Sequence, residues 1–166
     1  LLFFLKTTDD DLVGAFIPTS IMISDSHYGS CDMFLFRFKT EIPTHNQISI
    51  KTINEQSDQI ISEIQNQDSE QEISSKPPEQ NQSHLFAKPR TVIETFRWNK
   101  LKNLNNKLFI LSNLDCILFG GGKTSAIYID KDMNAGYSDP CETFNSPRLT
   151  SKRKFDIALI EVWQIG

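Results

Sequence analysis

Leu114-Asp115-Cys116-Ile117-Leu118-Phe119-Gly120-Gly121-Gly122, then Ala126-Ile127-Tyr128-Ile129-Asp130 and Pro140-Cys141-Glu142-Thr143-Phe144-Asn145, decide the fold class of this chain. Short apolar runs rich in β-branched and aromatic residues, broken by glycines and by Asp and Asn, read as strands joined by tight turns. Residues 155–163, ending in Ile160-Glu161-Val162-Trp163, repeat the pattern, and residues 107–111 precede it across the Ser112-Asn113 turn. Connections this short favour antiparallel pairing, and sheets with one apolar face must bury it against another layer. The expectation is a mostly β chain, an antiparallel two-sheet β-sandwich with a few helices.

Working outward, residues 1–6 and 12–18 flank Thr7-Thr8-Asp9-Asp10-Asp11 and predict a hairpin. Residues 33–39 alternate Phe34, Phe36 and Phe38 against Leu35 and Arg37, which predicts a strand whose aromatic face is the buried one. Residues 91–98 alternate like a further strand. Trp163, with Phe155, Ile157 and Leu159, reads as core.

Between residues 43 and 89 the composition shifts to Gln, Asn, Ser and Glu around Lys76-Pro77-Pro78-Glu79. Such a stretch cannot bury enough apolar surface to offset its ordering entropy, so a disordered polar insertion into a single domain of residues 1–166 is expected. It also holds the charge imbalance. The formal net charge is −4, and residues 44–89 carry seven acidic and three basic side chains, so the remainder balances.

A near-neutral remainder argues against nucleic acid, which needs a clustered cationic excess. With 166 residues and 39% hydrophobic content the chain can bury one core. No apolar run approaches the ~20 residues of a membrane-spanning helix. Cys31, Cys116 and Cys141 are an odd number in no metal-binding or redox spacing, which fits a reducing compartment, so a cytosolic location is expected.

Four blocks, in order, carry a resemblance. Leu12-Val13-Gly14-Ala15-Phe16, His27-Tyr28-Gly29-Ser30-Cys31-Asp32-Met33-Phe34-Leu35-Phe36, the glycine-rich stretch with its following strand, and Pro140-Cys141-Glu142-Thr143-Phe144-Asn145 resemble the TLDc domain. Asp115-Cys116-Ile117 and Ala126-Ile127-Tyr128-Ile129-Asp130 are most similar to the Skywalker-type branch, in which this domain is joined to a TBC Rab-GAP domain. The pattern opens after the family's first helices and strands, so the N-terminal part of the domain is expected to be absent, leaving apolar surface uncovered.

The resemblance implies a non-catalytic module linked to oxidative-stress resistance and to endosomal or synaptic-vesicle trafficking. It implies protein partners, with subunits of the vacuolar proton pump and an upstream TBC domain in cis among them, no cofactor, and a place on the cytosolic face of vesicle membranes. Gly14, Gly29, Gly120, Gly121, Gly122 and Glu142 are the partner-binding candidates. The family's Gly-Glu pair is here Cys31-Asp32 and its second Asn is Ser146, which weakens any role tied to those positions.

Other chemistries fit the residues less well. Gly122-Lys123-Thr124 looks like the end of a phosphate loop, but the required upstream glycine is Ile117 and a strand follows where a helix is needed. Asp130, Asp132 and Asn134 offer calcium-type oxygens, yet Gly136 falls one place late and position twelve is Cys141. Cys31 and Cys141 are the candidates for a redox or peroxide-handling enzyme, the rival reading, and Cys116 reads as an inert core thiol. His27, Asp32, Glu142 and Glu161 would have to converge to form an acid–base set. Lys100 and Lys102, and Arg148, Lys152, Arg153 and Lys154, form two basic clusters suited to an acidic partner or to peripheral contact with an anionic membrane.

Overall fold

The computed structural model describes residues 1–42 and 88–165, and the insertion expected at residues 43–89 lies outside the described residues but for its last two. The chain divides into one unit of Leu1–Lys39 with Val92–Gly166 and a second of Thr40–Thr91. Of the second unit only residues 40–42 and 88–91 are described.

The molecule is mostly β and antiparallel, as expected. Its strands are β1 (Leu2–Thr7), β2 (Leu12–Phe16), β3 (Ser24–Tyr28), β4 (Phe34–Glu41), β5 (Arg90–Arg97), β6 (Ile110–Ser112), β7 (Cys116–Phe119), β8 (Ile127–Asp130), β9 (Ala135–Tyr137) and β10 (Lys154–Trp163), with one short helix, α1 (Lys100–Asn103). They join in one hydrogen-bonded order, β3-β6-β7-β8-β9-β10-β1-β2-β4-β5, where two separate sheets were expected. The link is β10. Its first residues, Lys154 to Asp156, pair with β9, and Ile157 onward pairs with β1.

This single sheet still forms two layers. Strands β1 and β7 are four places apart, which at about 4.8 Å per strand would separate them by roughly 19 Å in a flat sheet. Yet the rings of Phe3 and Phe119 lie 4.8 Å apart, centroid to centroid. The sheet therefore folds over at β10 and seals one core, with Phe3, Leu5, Val13, Ala15 and Leu35 from one half against Phe109, Ile110, Phe119, Ile127 and Ile129 from the other. Burying such side chains contributes about 1.5–3 kcal/mol each before entropy is counted.

Strand β4 corrects the sequence reading. The residues it sends into the shared core are Leu35 and, just ahead of it, Met33; of the phenylalanines only Phe36 is buried, and it lies outside that cluster. Phe34, Phe36 and Phe38 lie on the opposite face, where they form a ladder with Phe4 and Phe16: Phe16 stacks on Phe34 at 5.1 Å, and Phe4 meets Phe36 edge-on at 5.3 Å. Cross-strand aromatic pairs of this kind stabilise a sheet on their own account. Gly14 permits the ladder, because a side chain there would overlap the Phe3 carbonyl and the Phe36 ring. Trp163 and Leu159 continue this outer face at 59% and 49% exposure, so they are not core, whereas Phe155 is.

Candidate functional site

The glycine-rich stretch forms a corner after β7. Gly120 and Gly122 both take positive φ, +75° and +121°, which L side chains rarely adopt. The space is equally restrictive: a Cβ on Gly121 would stand 2.6 Å from Leu108 Cβ, and one on Gly120 would overlap Cys141 Sγ. The corner is tied to the segment after Pro140. Gly121 N donates to Thr143 Oγ1 at 2.9 Å, Thr143 Oγ1 lies 2.7 Å from Asn106 Oδ1, and Thr124 Oγ1 donates to the Pro140 carbonyl at 2.5 Å.

Glu142 is thereby carried to Gly122, with its Oε2 2.7 Å from where a Gly122 Cβ would stand. The result is an open groove lined by Lys123, Thr124, Pro140, Glu142, Asn145 and Pro147, with Cys141 and Ser146 at its base. Cys141 and Ser146 pair through their backbones as an isolated bridge that holds the turn Glu142–Asn145. The Ser146 hydroxyl is buried and has no hydrogen-bond partner among the described residues. A buried hydroxyl without a partner is unusual.

Four of the six partner-binding candidates, Gly120, Gly121, Gly122 and Glu142, thus meet at one place. The other two do not join them. Gly14 is buried beneath Phe36, and Gly29 ends β3 with φ +115°, where a Cβ would crowd Phe109. Gly120 and Gly121 are themselves buried, so they shape the groove and its exposed side chains would make the contacts.

The cysteines separate sharply. Cys141, a redox candidate that would need exposure to react, is 3% exposed, its Sγ directed at the Gly121 carbonyl, because the corner closes over it. Cys31 is exposed and Cys116 half-buried, and all three are free thiols. Burial, reinforced by Asp115, pushes the Cys116 thiol up and keeps it protonated. Asp130 accepts a hydrogen bond from the Asn134 backbone at 3.0 Å, so the calcium-like stretch is a hydrogen-bonded turn, and among the described residues no three His, Cys, Asp or Glu side chains could hold a metal. His27 and Glu161 of the acid–base set lie on different strands: His27 sits on the edge strand β3, its pKa lowered by burial, whereas Glu161 lies on β10 and accepts from Trp163 Nε1.

The basic clusters also divide. Lys152 Nζ is 2.6 Å from Asp9, which raises its pKa, and Arg153 holds Asp139 through both carboxylate oxygens at 2.8 and 3.0 Å. That guanidinium keeps the Asp139 carboxyl below its ordinary range although the residue is buried. The Arg148 carbonyl accepts from Arg37 Nη1, and Lys154 is exposed at the start of β10. Lys100 and Lys102 are exposed on α1 and make no ion pair among the described residues.

Comparison with known proteins places this arrangement in a family. TBC1 domain family member 24 from Xenopus laevis is 28% identical over 98% of the chain, and human oxidation resistance protein 1 is 24% identical over the same share. The GTPase-activating protein skywalker of Drosophila melanogaster is 36% identical over 36% of the chain. The chain spans only 28% of the first relative's length and 12% of the second's. The blocks at Gly14 and Gly29 fall within those two long alignments, and the groove falls within residues 53–166, which match the family model of the TLDc domain. The chain belongs to the TLDc domain family.

Proposed function

We propose that this chain is a non-catalytic interaction module that serves oxidative-stress resistance and vesicle traffic by docking a protein partner in the groove beside the glycine corner. The names of its relatives, an oxidation resistance protein and GTPase-activating or TBC-domain proteins, support those two settings. The observation that carries the docking is the convergence of Gly122, Lys123 and Glu142 over the unpartnered Ser146 hydroxyl. A groove with charges of both signs and a polar floor suits an irregular protein segment.

The partner proposed is the soluble sector of the vacuolar proton pump, with an upstream TBC domain in cis where one is present, on the cytosolic face of endosomal or synaptic-vesicle membranes. The rival redox reading loses Cys141 to burial and keeps a lone exposed thiol, Cys31. The test is a binding titration of the chain against the purified soluble sector. Micromolar or tighter binding that Lys123→Glu and Ser146→Val weaken at least tenfold, about 1.4 kcal/mol, is expected. No saturable binding, or binding indifferent to both changes, would contradict it.

A further inference from the structure

The connection from β5 to β6 has a feature that the protein-docking groove does not use. Leu101 on α1 is 96% exposed, more than any other large hydrophobic side chain among the described residues, and Leu104 follows at 56%. An isolated exposed leucine needs no explanation, but these two are set among lysines. Between Glu94 and Asp115 the sequence holds Arg97, Lys100, Lys102 and Lys107 and no acidic residue. Arg97 is committed elsewhere, lying over the Phe34 ring at 4.2 Å. Lys100, Lys102 and Lys107 are exposed and form no ion pair among the described residues.

The loop is also held in place. Asn99 caps α1 by accepting from Leu101 N at 2.9 Å. Trp98 Nε1 donates to the Asn106 carbonyl at 2.9 Å, closing the loop at its base, and the Trp98 ring packs edge-on against Phe109 of the core. Asn106 in turn lies 2.7 Å from Thr143 of the glycine corner. Leu101 therefore projects from a rigid base, and no part of the core recruits it.

We propose that this loop is a membrane-docking tip that takes the anionic lipid surface of a bilayer. Leu101 and Leu104 enter the boundary between headgroups and acyl chains, and Lys100, Lys102 and Lys107 pair with lipid phosphates and carboxylates around them. The occupant follows from charge and shape together: exposed lysines without ion pairs among the described residues, in a stretch without acids that also carries an exposed apolar pair, match a negatively charged interface with an apolar layer beneath. The second basic cluster is the weaker candidate, because Lys152 and Arg153 are already paired and only Arg148 and Lys154 form no ion pair among the described residues.

The experiment is co-sedimentation of the full chain with phosphatidylcholine vesicles made with and without phosphatidylserine. Binding to the phosphatidylserine vesicles only, weakened by salt, is expected. Lys102→Ala should reduce it about fivefold and Lys100→Glu with Lys102→Glu abolish it, since each lysine near such a surface contributes about one such factor. Leu101→Ser should weaken it while leaving the salt dependence, a readout that charge alone would not move. These side chains are exposed, so the variants keep the wild-type unfolding temperature. Equal sedimentation with both vesicles, or binding unchanged by the α1 variants, would overturn the proposal. Capture by immobilised polyglutamate with none by vesicles would assign the loop to an acidic protein and overturn the lipid assignment as well.

Discussion

Two basic clusters that look alike in sequence do opposite work in the folded chain. Residues 148–154 close the fold: Lys152 reaches Asp9 of the β1–β2 turn, Ser151 donates to Asp11 from both N and Oγ, and Arg153 clamps the buried Asp139. In residues 100–107 it is Asn106 that is tied to the fold, through Trp98 and Thr143, whereas Lys100, Lys102 and Lys107 form no ion pair among the described residues and Lys100 and Lys102 flank the exposed Leu101. Positive charge is therefore informative only with its partners known. A cation spent on a carboxylate of its own chain is a fastening, and one displayed without such a partner is available to another molecule.

The largest effect should come from breaking the glycine corner, to which the 100–107 loop is tied through Asn106 and Thr143. Gly120→Val forces a β-branched side chain to φ +75° against Cys141 and Phe144, at a cost of several kcal/mol, and should leave the chain unfolded by circular dichroism. Next, Arg153→Met strands the Asp139 carboxylate in a buried position and should lower the melting temperature while leaving vesicle binding intact. A smaller, pH-dependent effect follows from the same pair. The Asp139 pKa is depressed in the fold, so its contribution is fully present above the ordinary carboxylate pKa and is lost as pH falls through the lower folded value. Glu94 acts in the same direction, its carboxyl lowered first by the Arg37 hydrogen bond. Acid unfolding should thus be steeper in the wild type than in Arg153→Met. The smallest effect on stability, within about 0.5 kcal/mol, is expected for Lys102→Glu, which should nonetheless weaken vesicle binding by more than the roughly fivefold of Lys102→Ala.

Much of the architecture could be read from the chain. The Asp-rich turn between apolar runs announced the β1–β2 hairpin, and the alternation at residues 91–98 announced β5. β3 escaped because Ser24-Asp25-Ser26-His27-Tyr28 has no apolar alternation, and it is held instead by the Tyr28 hydroxyl 2.7 Å from Ser112. β9 escaped because three residues within a turn-rich stretch carry no period. The aromatic run of β4 named the wrong face, since a strand with apolar residues on both sides does not disclose which side meets the core.

The site was half legible. Family pattern joined the glycines with Glu142, and no local rule could have shown Cys141 closed beneath Gly120 or Ser146 without a partner. The fate of the basic clusters was illegible in principle, because Lys152 and Asp9 stand 143 positions apart. The exposure of Leu101 was equally hidden, because both clusters lie in stretches without an acidic residue, 95–114 and 143–155.

The most direct test of this division is thermal unfolding of two charge-reversed variants side by side, Lys100→Glu with Lys102→Glu and Lys152→Glu with Arg153→Glu. The first pair is expected to melt with the wild type and the second to melt clearly lower. Equal melting of the two, or a lower melting temperature for the α1 pair, would contradict the assignment of one cluster to the fold and the other to a partner.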